Sequence, residues 1–305
     1  MLKTEIAGIK LESCIYNASG PRCTSYEELI KLANSHSGAI LTKSVTLNPR
    51  DGNAGKRYYD NDIMSINSTG LANMGYKFYG SLVETFYPKP YMISVAGLTL
   101  EDNIKIIEEL MENPPDAIEL NLSCPNIAGK SQVAYDCDAM EMYLRKIYDS
   151  VEIQIPMGLK LSPYFDQGQF ASTAELIEGY PINFVTCINS LGYGLMVDIS
   201  RETTEIVPNG GHGGIGGKGI LPIALANVRQ FRKLLPERID VIGCGGVETG
   251  RDVFAHILVG AKGVQVGTQL MKEGVGVFER LERELGGIMR EKGYKNVGEF
   301  CGKLV

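Results

Sequence analysis

The stretch DVIGCGGVETGRDVFAHILVGAKGVQVGT, residues 240–268, decides the fold class of this chain. It begins with a short β-branched run and continues, over 249–261, with apolar residues three or four positions apart. A second β-branched run follows at 263–268. An apolar run, a helical period and another apolar run predict one strand–helix–strand unit with parallel strands.

The same alternation extends through the rest of the chain. Six further short runs are predicted to be strands, at 15–20, 38–45, 91–97, 117–123, 157–162 and 184–190. Other segments with helical spacing lie at 24–35, 100–113, 136–151, 172–180 and 221–235. Eight strands that alternate with helices over roughly 250–300 residues predict an α/β protein with a (β/α)8 TIM barrel, and a doubly wound open sheet is the alternative.

Two long segments interrupt this alternation, at 46–90 after the second strand and at 191–219 after the sixth. Loops of this length usually carry function or have structure of their own. No stretch of linker composition divides the chain, so 1–305 is expected to form a single domain. The motif GHGGIG at 211–216 matches a dinucleotide-binding pattern but does not join a strand to a helix, so a flexible glycine loop is expected there.

Composition excludes several classes of protein. The 305 residues carry 30 Lys and Arg against 36 Asp and Glu, a net charge of −6 without any block of like charge. This balance gives no sign of nucleic-acid binding or of a polybasic membrane anchor. The longest apolar runs fall far short of the roughly 20 residues that cross a bilayer, and no secretory signal is visible. A cytoplasmic protein without nucleic-acid or membrane partners is therefore expected.

Cysteine and histidine are too dispersed to indicate a metal site. The seven cysteines include no C-x-x-C pair, and only three histidines occur. This spacing disfavours zinc and iron–sulfur sites, so no metal is predicted and the thiols are expected to be reduced. Cys14, Cys187 and Cys244 fall in or beside predicted strands and are expected to lie in the core.

In such barrels the active site lies at the C-terminal ends of the strands. The residues predicted there are amides, hydroxyls and two lysines, without the carboxylate pair of a glycosidase: Asn17, Ser19, Lys43, Ser44, Asn121, Ser123, Lys160, Ser162, Asn189, Ser190 and Thr268. An asparagine amide matches the alternating N–H and C=O edge of a pyrimidine or flavin ring, with backbone capping as the alternative. Small residues after the last two strands favour a phosphate site, and plain tight turns are the alternative there.

The stretch NLSCPN, 121–126, places Cys124 at the end of the fourth predicted strand, where Pro125 turns the chain away. A free thiol has a pKa of about 8.5 and can accept a proton once it is activated. A lone loop cysteine is more often inert. Both interpretations stay open from these residues alone.

Seven motifs then occur in order over nearly the whole chain: NASG (17–20), TKS (42–44), SINSTGLANMG (65–75), ELNLSCPNIAGKSQ (119–132), NSLGYGL (189–195), GGIGG (213–217) and GCGGVETG (243–250). Together they resemble dihydroorotate dehydrogenases, most closely the soluble class 1A enzymes. The resemblance implies a cytosolic homodimeric barrel that holds FMN, oxidises dihydroorotate to orotate in pyrimidine synthesis and passes the electrons to fumarate. The class 1B type, in which a second subunit passes electrons to NAD, is the alternative. A barrel that only binds a phosphorylated ligand would leave the two lysines and the loop thiol unexplained.

Residue by residue, the resemblance implies that Cys124 is the base that removes the C5 proton while hydride moves from C6 to the flavin. The residues implied for the substrate are Lys43, Asn67, Gly70, Leu71, Asn121, Asn126, Asn189 and Ser190. Those implied for FMN are Ala18, Ser19, Gly20, Lys43, Ser44, Asn121, Lys160, Gly217, Gly245, Gly246, Gly267 and Thr268. Ala72 stands where the family usually has proline, and Thr69 and Tyr193 also depart from the family pattern. The loss of a rigid φ at Ala72 is expected to loosen the substrate loop and change affinity, not the reaction.

Overall fold

The structure, a computed structural model, describes residues 1–123 and 132–305. Its strands, in chain order, are β1 (Thr4–Ile6), β2 (Ile9–Leu11), β3 (Ile15–Asn17), β4 (Ile40–Leu41), β5 (Tyr58–Asp60), β6 (Ser65–Asn67), β7 (Tyr91–Val95), β8 (Ala117–Asn121), β9 (Met157–Lys160), β10 (Phe184–Cys187), β11 (Leu191–Leu195), β12 (Val197–Asp198), β13 (Thr203–Thr204), β14 (His212–Gly216), β15 (Asp240–Cys244) and β16 (Gly263–Val266). Its α-helices are α1 (Tyr26–Ala33), α2 (Tyr76–Gly80), α3 (Leu100–Leu110), α4 (Cys137–Ser150), α5 (Gln167–Glu178), α6 (Leu221–Leu234), α7 (Gly250–Leu258), α8 (Thr268–Glu273) and α9 (Gly276–Lys292).

Eight of these strands form one parallel sheet, with neighbours in the order β4-β7-β8-β9-β10-β15-β16-β3. This order confirms the predicted (β/α)8 barrel, and the doubly wound alternative is wrong. All eight predicted strands are present. Each predicted range runs two to four residues past the observed strand into the loop that follows, because the polar strand-end residues continue the sequence pattern after the ladder has ended.

The amide of Asn17 closes the barrel between the two end strands, β3 and β4. Its Nδ2 donates to the Leu41 carbonyl at 2.6 Å, and the Leu41 N–H donates back to its Oδ1 at 2.9 Å. The Gly38 N–H also donates to the Ile15 carbonyl. Asn17 is fully buried, so the seam is joined by a side chain whose donor and acceptor are both satisfied.

The six predicted helices are all present. Three of them, α1, α3 and α7, begin with a capping box, in which a Ser or Thr side chain and an acidic side chain three residues later satisfy each other's backbone N–H. Helix α5 begins five residues before the predicted start because the Asp166 side chain caps it there. Among the described residues, no helix is long and apolar enough to cross a bilayer.

Helices α8 and α9, after the last barrel strand, were not among the predicted segments. In α9 the buried residues include Val277, Leu281, Leu285 and Met289, four residues apart. This spacing is the helical period itself. The signal for α9 was therefore present in the sequence.

Alternate residues of the barrel strands point into the barrel, whose interior has two levels. We call the lower level the apolar plug; it combines residues in or beside the barrel strands with two from the β1–β2 hairpin: Ile6, Leu11, Tyr16, Ala39, Leu41, Met92, Ala117, Phe184 and Ile242. We call the level above it the polar tier; it consists of Glu119, Lys160, Thr186 and Gln265, all buried. On β8, for example, Ala117 belongs to the plug and Glu119, two residues later, to the tier.

The two long insertions meet in one antiparallel sheet, with the strand order β11-β14-β6-β5. The first insertion supplies β5 and β6, and the second supplies β11 and β14. The expectation of a flexible glycine loop at 211–216 is wrong, because most of it is strand β14. Its glycines permit close approach of the neighbouring strand: a Cβ at Gly213 would lie 2.5 Å from the Asn67 carbonyl oxygen. The motif leads from one strand of this sheet toward α6 and has no dinucleotide-binding context.

Candidate active site

A chain of hydrogen bonds crosses the barrel through the polar tier. Lys160 donates from Nζ to Gln265 Oε1 at 2.6 Å, and Gln265 Nε2 donates to Glu119 Oε2 at 2.7 Å. The Thr186 hydroxyl donates to the same carboxylate oxygen at 2.7 Å. The amide of Gln265 therefore links a cation to an anion with one orientation only, its oxygen toward Lys160 and its nitrogen toward Glu119. The other carboxylate oxygen, Glu119 Oε1, is buried without a hydrogen-bond partner among the described residues.

Ser44 lies at the centre of a second network, one level higher. Its Oγ is 2.8 Å from Ser19 Oγ and 2.9 Å from Ser94 Oγ, and it accepts a hydrogen bond from Asn121 Nδ2 at 3.0 Å. These contacts join the ends of four barrel strands, β3, β4, β7 and β8. The Asn121 amide is therefore held in a fixed orientation by hydroxyl groups, as a recognition group requires.

Asn189, after β10, reaches across to the end of β8. Its Nδ2 donates to Ser123 Oγ at 3.0 Å and to the Ser123 carbonyl at 3.2 Å. Ser123 in turn donates from its hydroxyl to Asn121 Oδ1 at 3.1 Å. The last described residue before position 124 is thus anchored between the two asparagines. Cys124 and Asn126 lie outside the described residues, so the prediction for each stays a prediction.

The remaining residues predicted for the substrate come from the first insertion and from the segment just after β4. Lys43, buried, donates from Nζ to the Gly20 carbonyl at 3.3 Å. Asn67, on β6, donates from Nδ2 to the Gly214 carbonyl at 3.1 Å. Leu71 has a φ of 56° and is buried.

These networks surround one cavity of about 440 Å³ at the C-terminal ends of the barrel strands. A volume of this size is ordinary for a cofactor or small-molecule site. The described residues that the resemblance implies for substrate or cofactor line it, with one exception: Ala18, Ser19, Gly20, Lys43, Ser44, Asn67, Leu71, Asn121, Lys160, Asn189, Ser190, Gly217, Gly245, Gly246, Gly267 and Thr268. The exception is Gly70, which packs against Asn53 instead. Asn17, Ser123 and Ser162, which were predicted only from their places at strand ends, do not line the cavity.

Beside the last two barrel strands, the potential hydrogen-bond donors of the cavity are mainly backbone N–H groups rather than side chains. No described residue accepts a hydrogen bond from the N–H of Gly245, Gly246 or Gly267. Thr268 adds a hydroxyl, whose Oγ1 is 2.9 Å from Ser65 Oγ on β6. Backbone donors that are left available in this way suit the binding of an anionic group.

The buried cysteines are poor candidates for proton transfer. Burial raises the pKa of the Cys14 and Cys23 thiols to about 12, and it raises the pKa of Cys187 further. All three are fully buried, as predicted for Cys14 and Cys187. Cys244 is also buried, but it lines the cavity. The six described cysteines are all unpaired.

Comparison with known proteins assigns the chain to a family. The family model described as dihydroorotate dehydrogenase matches residues 1–289. The chain belongs to the dihydroorotate dehydrogenase family. Dihydroorotate dehydrogenase A (fumarate) of Lactococcus lactis subsp. cremoris (strain MG1363) is 44% identical over 310 residues, which cover 100% of this chain and 99% of the relative. Dihydroorotate dehydrogenase (fumarate) of Trypanosoma cruzi (strain CL Brener) is 46% identical over 295 residues, which cover 94% of this chain and 93% of the relative.

Solved structures support the fold. Ligand-free DHODH from Eimeria tenella superimposes with a TM-score of 0.82, and its complex with ferulenol gives 0.79. The superpositions cover 99% of this chain and 91% and 88% of those chains, at 18% sequence identity. Enzymes of the dihydroorotate dehydrogenase family are flavoproteins.

The three departures from the family pattern lie in different places. Ala72 and Thr69 both line the cavity. Tyr193 does not; it is exposed and stacks on His212, with ring centroids 4.4 Å apart. An effect on ligand affinity is therefore expected from the first two departures and not from Tyr193.

Sequence reasoning missed several residues that line the cavity. Glu119 and Gln265 each lie two residues before a predicted site residue on the same strand, so the period of two would have placed both on the inner face. Arg57 and Ser65 come from the first insertion, and nothing in their local sequence indicates the long-range pairing that brings them to the cavity.

Proposed function

We propose that this chain oxidises dihydroorotate to orotate at a bound FMN and passes the electrons to fumarate, as a step of pyrimidine biosynthesis. The observation that carries the proposal is the cavity at the C-terminal ends of the barrel strands, which combines asparagine amides with backbone N–H groups from which no described residue accepts a hydrogen bond. The names of the relatives favour the fumarate-linked reaction over the class 1B alternative, at 44–46% identity over nearly the whole chain.

The charge around the cavity suits an anionic ligand. Its described lining includes four cations, Arg22, Lys43, Arg57 and Lys160, against two carboxylates, Glu28 and Glu119. One of these carboxylates, Glu28, is engaged in the capping box of α1. The excess of positive charge favours a phosphate-bearing cofactor and a carboxylate-bearing substrate.

Residues that line the cavity would hold both the phosphate and the ring of FMN. The N–H groups of Gly245, Gly246 and Gly267 would hold the phosphate together with the Thr268 hydroxyl. Close packing restricts this turn to glycine, because a Cβ at Gly246 would lie 2.4 Å from Leu221 Cα. Lys160, whose Nζ donates to Gln265, would face the flavin ring.

The chemistry divides between cofactor and chain. When bound, FMN accepts a hydride from C6 of dihydroorotate and returns two electrons to the acceptor. The chain's own task is to take the C5 proton, and Cys124 is the proposed base. Asn121, Asn189 and Asn67 would hold the substrate amides, and Lys43 would pair with its carboxylate. Loss of the hydride and the proton together forms the C5–C6 double bond of orotate. Fumarate, with two electrons and two protons, becomes succinate.

We also propose that the protein is a cytoplasmic, single-domain homodimer. A row of exposed apolar side chains supports the dimer: Tyr193, Leu195, Val197 and Ile199 stand at alternate positions from β11 to the residue after β12. Strand β11 is an edge of the four-stranded insertion sheet and β12 pairs with β13 in a separate ribbon, and exposed apolar rows on edge strands are characteristic of interfaces. Leu195→Glu should give a monomer in sedimentation velocity, and Leu234→Glu on α6 should not.

The function is tested by following the flavin of the purified chain anaerobically. Dihydroorotate should bleach the flavin absorbance, and fumarate alone should restore it. Absence of bleaching would contradict the proposal. Bleaching with recovery only through NAD and an added partner subunit would favour the class 1B alternative.

The proposed base is tested in the same experiment. Cys124→Ala should keep the flavin and lose most of the bleaching rate, because the proposed base is removed. Cys124→Ser should retain part of it, because a hydroxyl can serve the same role when activated. A near-normal rate in Cys124→Ala would assign the base to another group.

A further inference from the structure

His256, on α7, lies directly behind the glycine turn that follows β15. Its side chain is fully buried, and Nε2 lies 3.0 Å from the Gly245 carbonyl oxygen. A carbonyl can only accept, so Nε2 must carry the hydrogen of the ring. The imidazole therefore donates to the backbone of the turn.

This hydrogen bond also determines where the next N–H points. The carbonyl of Gly245 and the N–H of Gly246 belong to one planar peptide unit, which is trans here. In a trans peptide these two groups point in opposite directions. Because His256 holds the carbonyl on the α7 side, the Gly246 N–H is directed away from α7. Gly246 lines the cavity, and no described residue accepts a hydrogen bond from its N–H.

The Gly245–Gly246 turn needs a contact that fixes its conformation. Gly245 and Gly246 have φ values of 123° and 75°, in a region that only glycine adopts freely. Two successive glycines can also adopt many other conformations, so the backbone alone does not fix the peptide orientation. One buried hydrogen bond selects one orientation among them.

The residues packed around His256 accommodate the imidazole and favour its neutral form. A Cβ at Gly243 would lie 2.4 Å from His256 Nδ1, so the strand leaves room for the imidazole by carrying glycine there. Nδ1 is buried without a hydrogen-bond partner among the described residues. Burial lowers the pKa of His256 to about 4, opposed by its bond to Gly245 and by Asp252. The ring therefore stays a neutral Nε2–H donor at physiological pH.

We propose that His256 is a positioning residue, which aims the Gly246 N–H at the phosphate group of the flavin nucleotide. The proposal rests on the proposed function only in taking FMN as the ligand. His256 is not among the residues that line the cavity, so it acts through the Gly245–Gly246 peptide.

Two substitutions at this position separate the donor from the bulk of the side chain. His256→Met keeps similar volume without a donor, and His256→Gln places an amide N–H near the position of Nε2. The apoproteins are titrated with FMN and with riboflavin, which lacks the phosphate. A hydrogen bond to a charged group contributes about 1.5–3 kcal/mol, so FMN affinity should fall at least about tenfold in His256→Met.

Riboflavin affinity should change less than about twofold in the same variant, because its binding does not use the turn. His256→Gln should restore most of the FMN affinity. Equal losses for FMN and riboflavin, or no loss for either, would overturn the proposal. Failure of the wild-type chain to bind FMN would instead overturn the proposed function.

A second measurement applies if His256→Met does not fold. In the wild-type apoprotein, the ¹⁵N-labelled Gly246 amide should shift downfield when FMN is added and should stay in place with riboflavin. An amide that does not move with FMN, while the flavin binds, would contradict the proposal.

Discussion

The apolar plug and the polar tier occupy the same barrel and are equally buried, yet their chemistry is opposite. On β8 and on β10, a step of two residues leads from Ala117 to Glu119 and from Phe184 to Thr186. The plug consists almost wholly of side chains that need no partner. The tier consists of side chains that each need one, and they find it in each other. Position along the strand, rather than burial, therefore distinguishes the residues that stabilise this barrel from those that form its site.

Lys160→Met should have the largest effect on both rate and stability, because it removes the cation of the polar tier. Flavin reduction by dihydroorotate should slow by about 10²-fold, the usual loss when a fixed electrostatic group is removed. Glu119 is then a buried carboxylate without a counter-charge, which should cost about 3–5 kcal/mol of unfolding free energy. Stopped-flow absorbance and urea unfolding measure the two effects.

The double variant Lys160→Met/Glu119→Gln separates these two losses. It should recover most of the stability, because the uncompensated charge is gone, and none of the rate. The exposed Lys233→Met serves as the control and should change neither quantity. Recovery of the rate in the double variant would show that Lys160 acts on the reaction only through stability.

Phe184→Ala should produce the reverse pattern in the plug. The ring is buried and packs over Gly158, whose Cβ would lie 2.2 Å from it. Its removal should cost about 3–5 kcal/mol of unfolding free energy. The rate of flavin reduction in the folded fraction should stay within about twofold of wild type, since the ring is a level below the tier. Phe165→Ala, at an exposed position, is the matched control. A rate loss like that of Lys160→Met would show that the apolar plug affects the reaction as much as the polar tier does.

Thr186→Val tests a single contact within the tier. The change keeps the shape of the side chain and removes one hydrogen bond to the Glu119 carboxylate. We expect a loss of about 1.5–3 kcal/mol of unfolding free energy, the usual contribution of a bond to a charged group. The exposed Thr203→Val should be neutral. A neutral Thr186→Val would show that the tier does not depend on this hydroxyl.

Tyr16→Phe should change the unfolding free energy least at neutral pH. It tests the contact between the apolar plug and the polar tier. Tyr16 belongs to the plug, but its hydroxyl accepts from Gln265 Nε2 in the tier, at 3.4 Å. Burial, followed by the Glu119 charge, raises the pKa of Tyr16 well above its ordinary value. The folded state therefore keeps the proton at a pH where the unfolded chain loses it. The stability is fully present below a pH of about 10 and is lost as the pH rises above it.

Unfolding free energies of wild type and Tyr16→Phe, compared at pH 8 and pH 11, test this sign. The two proteins should be similar at pH 8, and the variant should be the more stable at pH 11. An unchanged difference between the two pH values would place the hydroxyl in contact with water.

Local patterns explain what could be predicted from the sequence. The strand and helix periods identified all eight barrel strands, and the polar strand ends identified part of the cavity lining. Pairing between Ser65–Asn67 and Gly214–Gly216 joins segments nearly 150 residues apart, and no local pattern carries that information. The contact of His256 with Gly245 could not be predicted from the sequence either, because a histidine on an apolar helix face is usually only a core residue.

A crystal structure of the chain with FMN bound would show whether the cavity holds the flavin as proposed. We expect the phosphate oxygens within about 3 Å of the Gly246 and Gly267 nitrogens, and the flavin ring within the same distance of Lys160 Nζ. A flavin bound outside this cavity, or with its phosphate away from the glycine turn and its ring away from Lys160, would show that the proposed site is wrong.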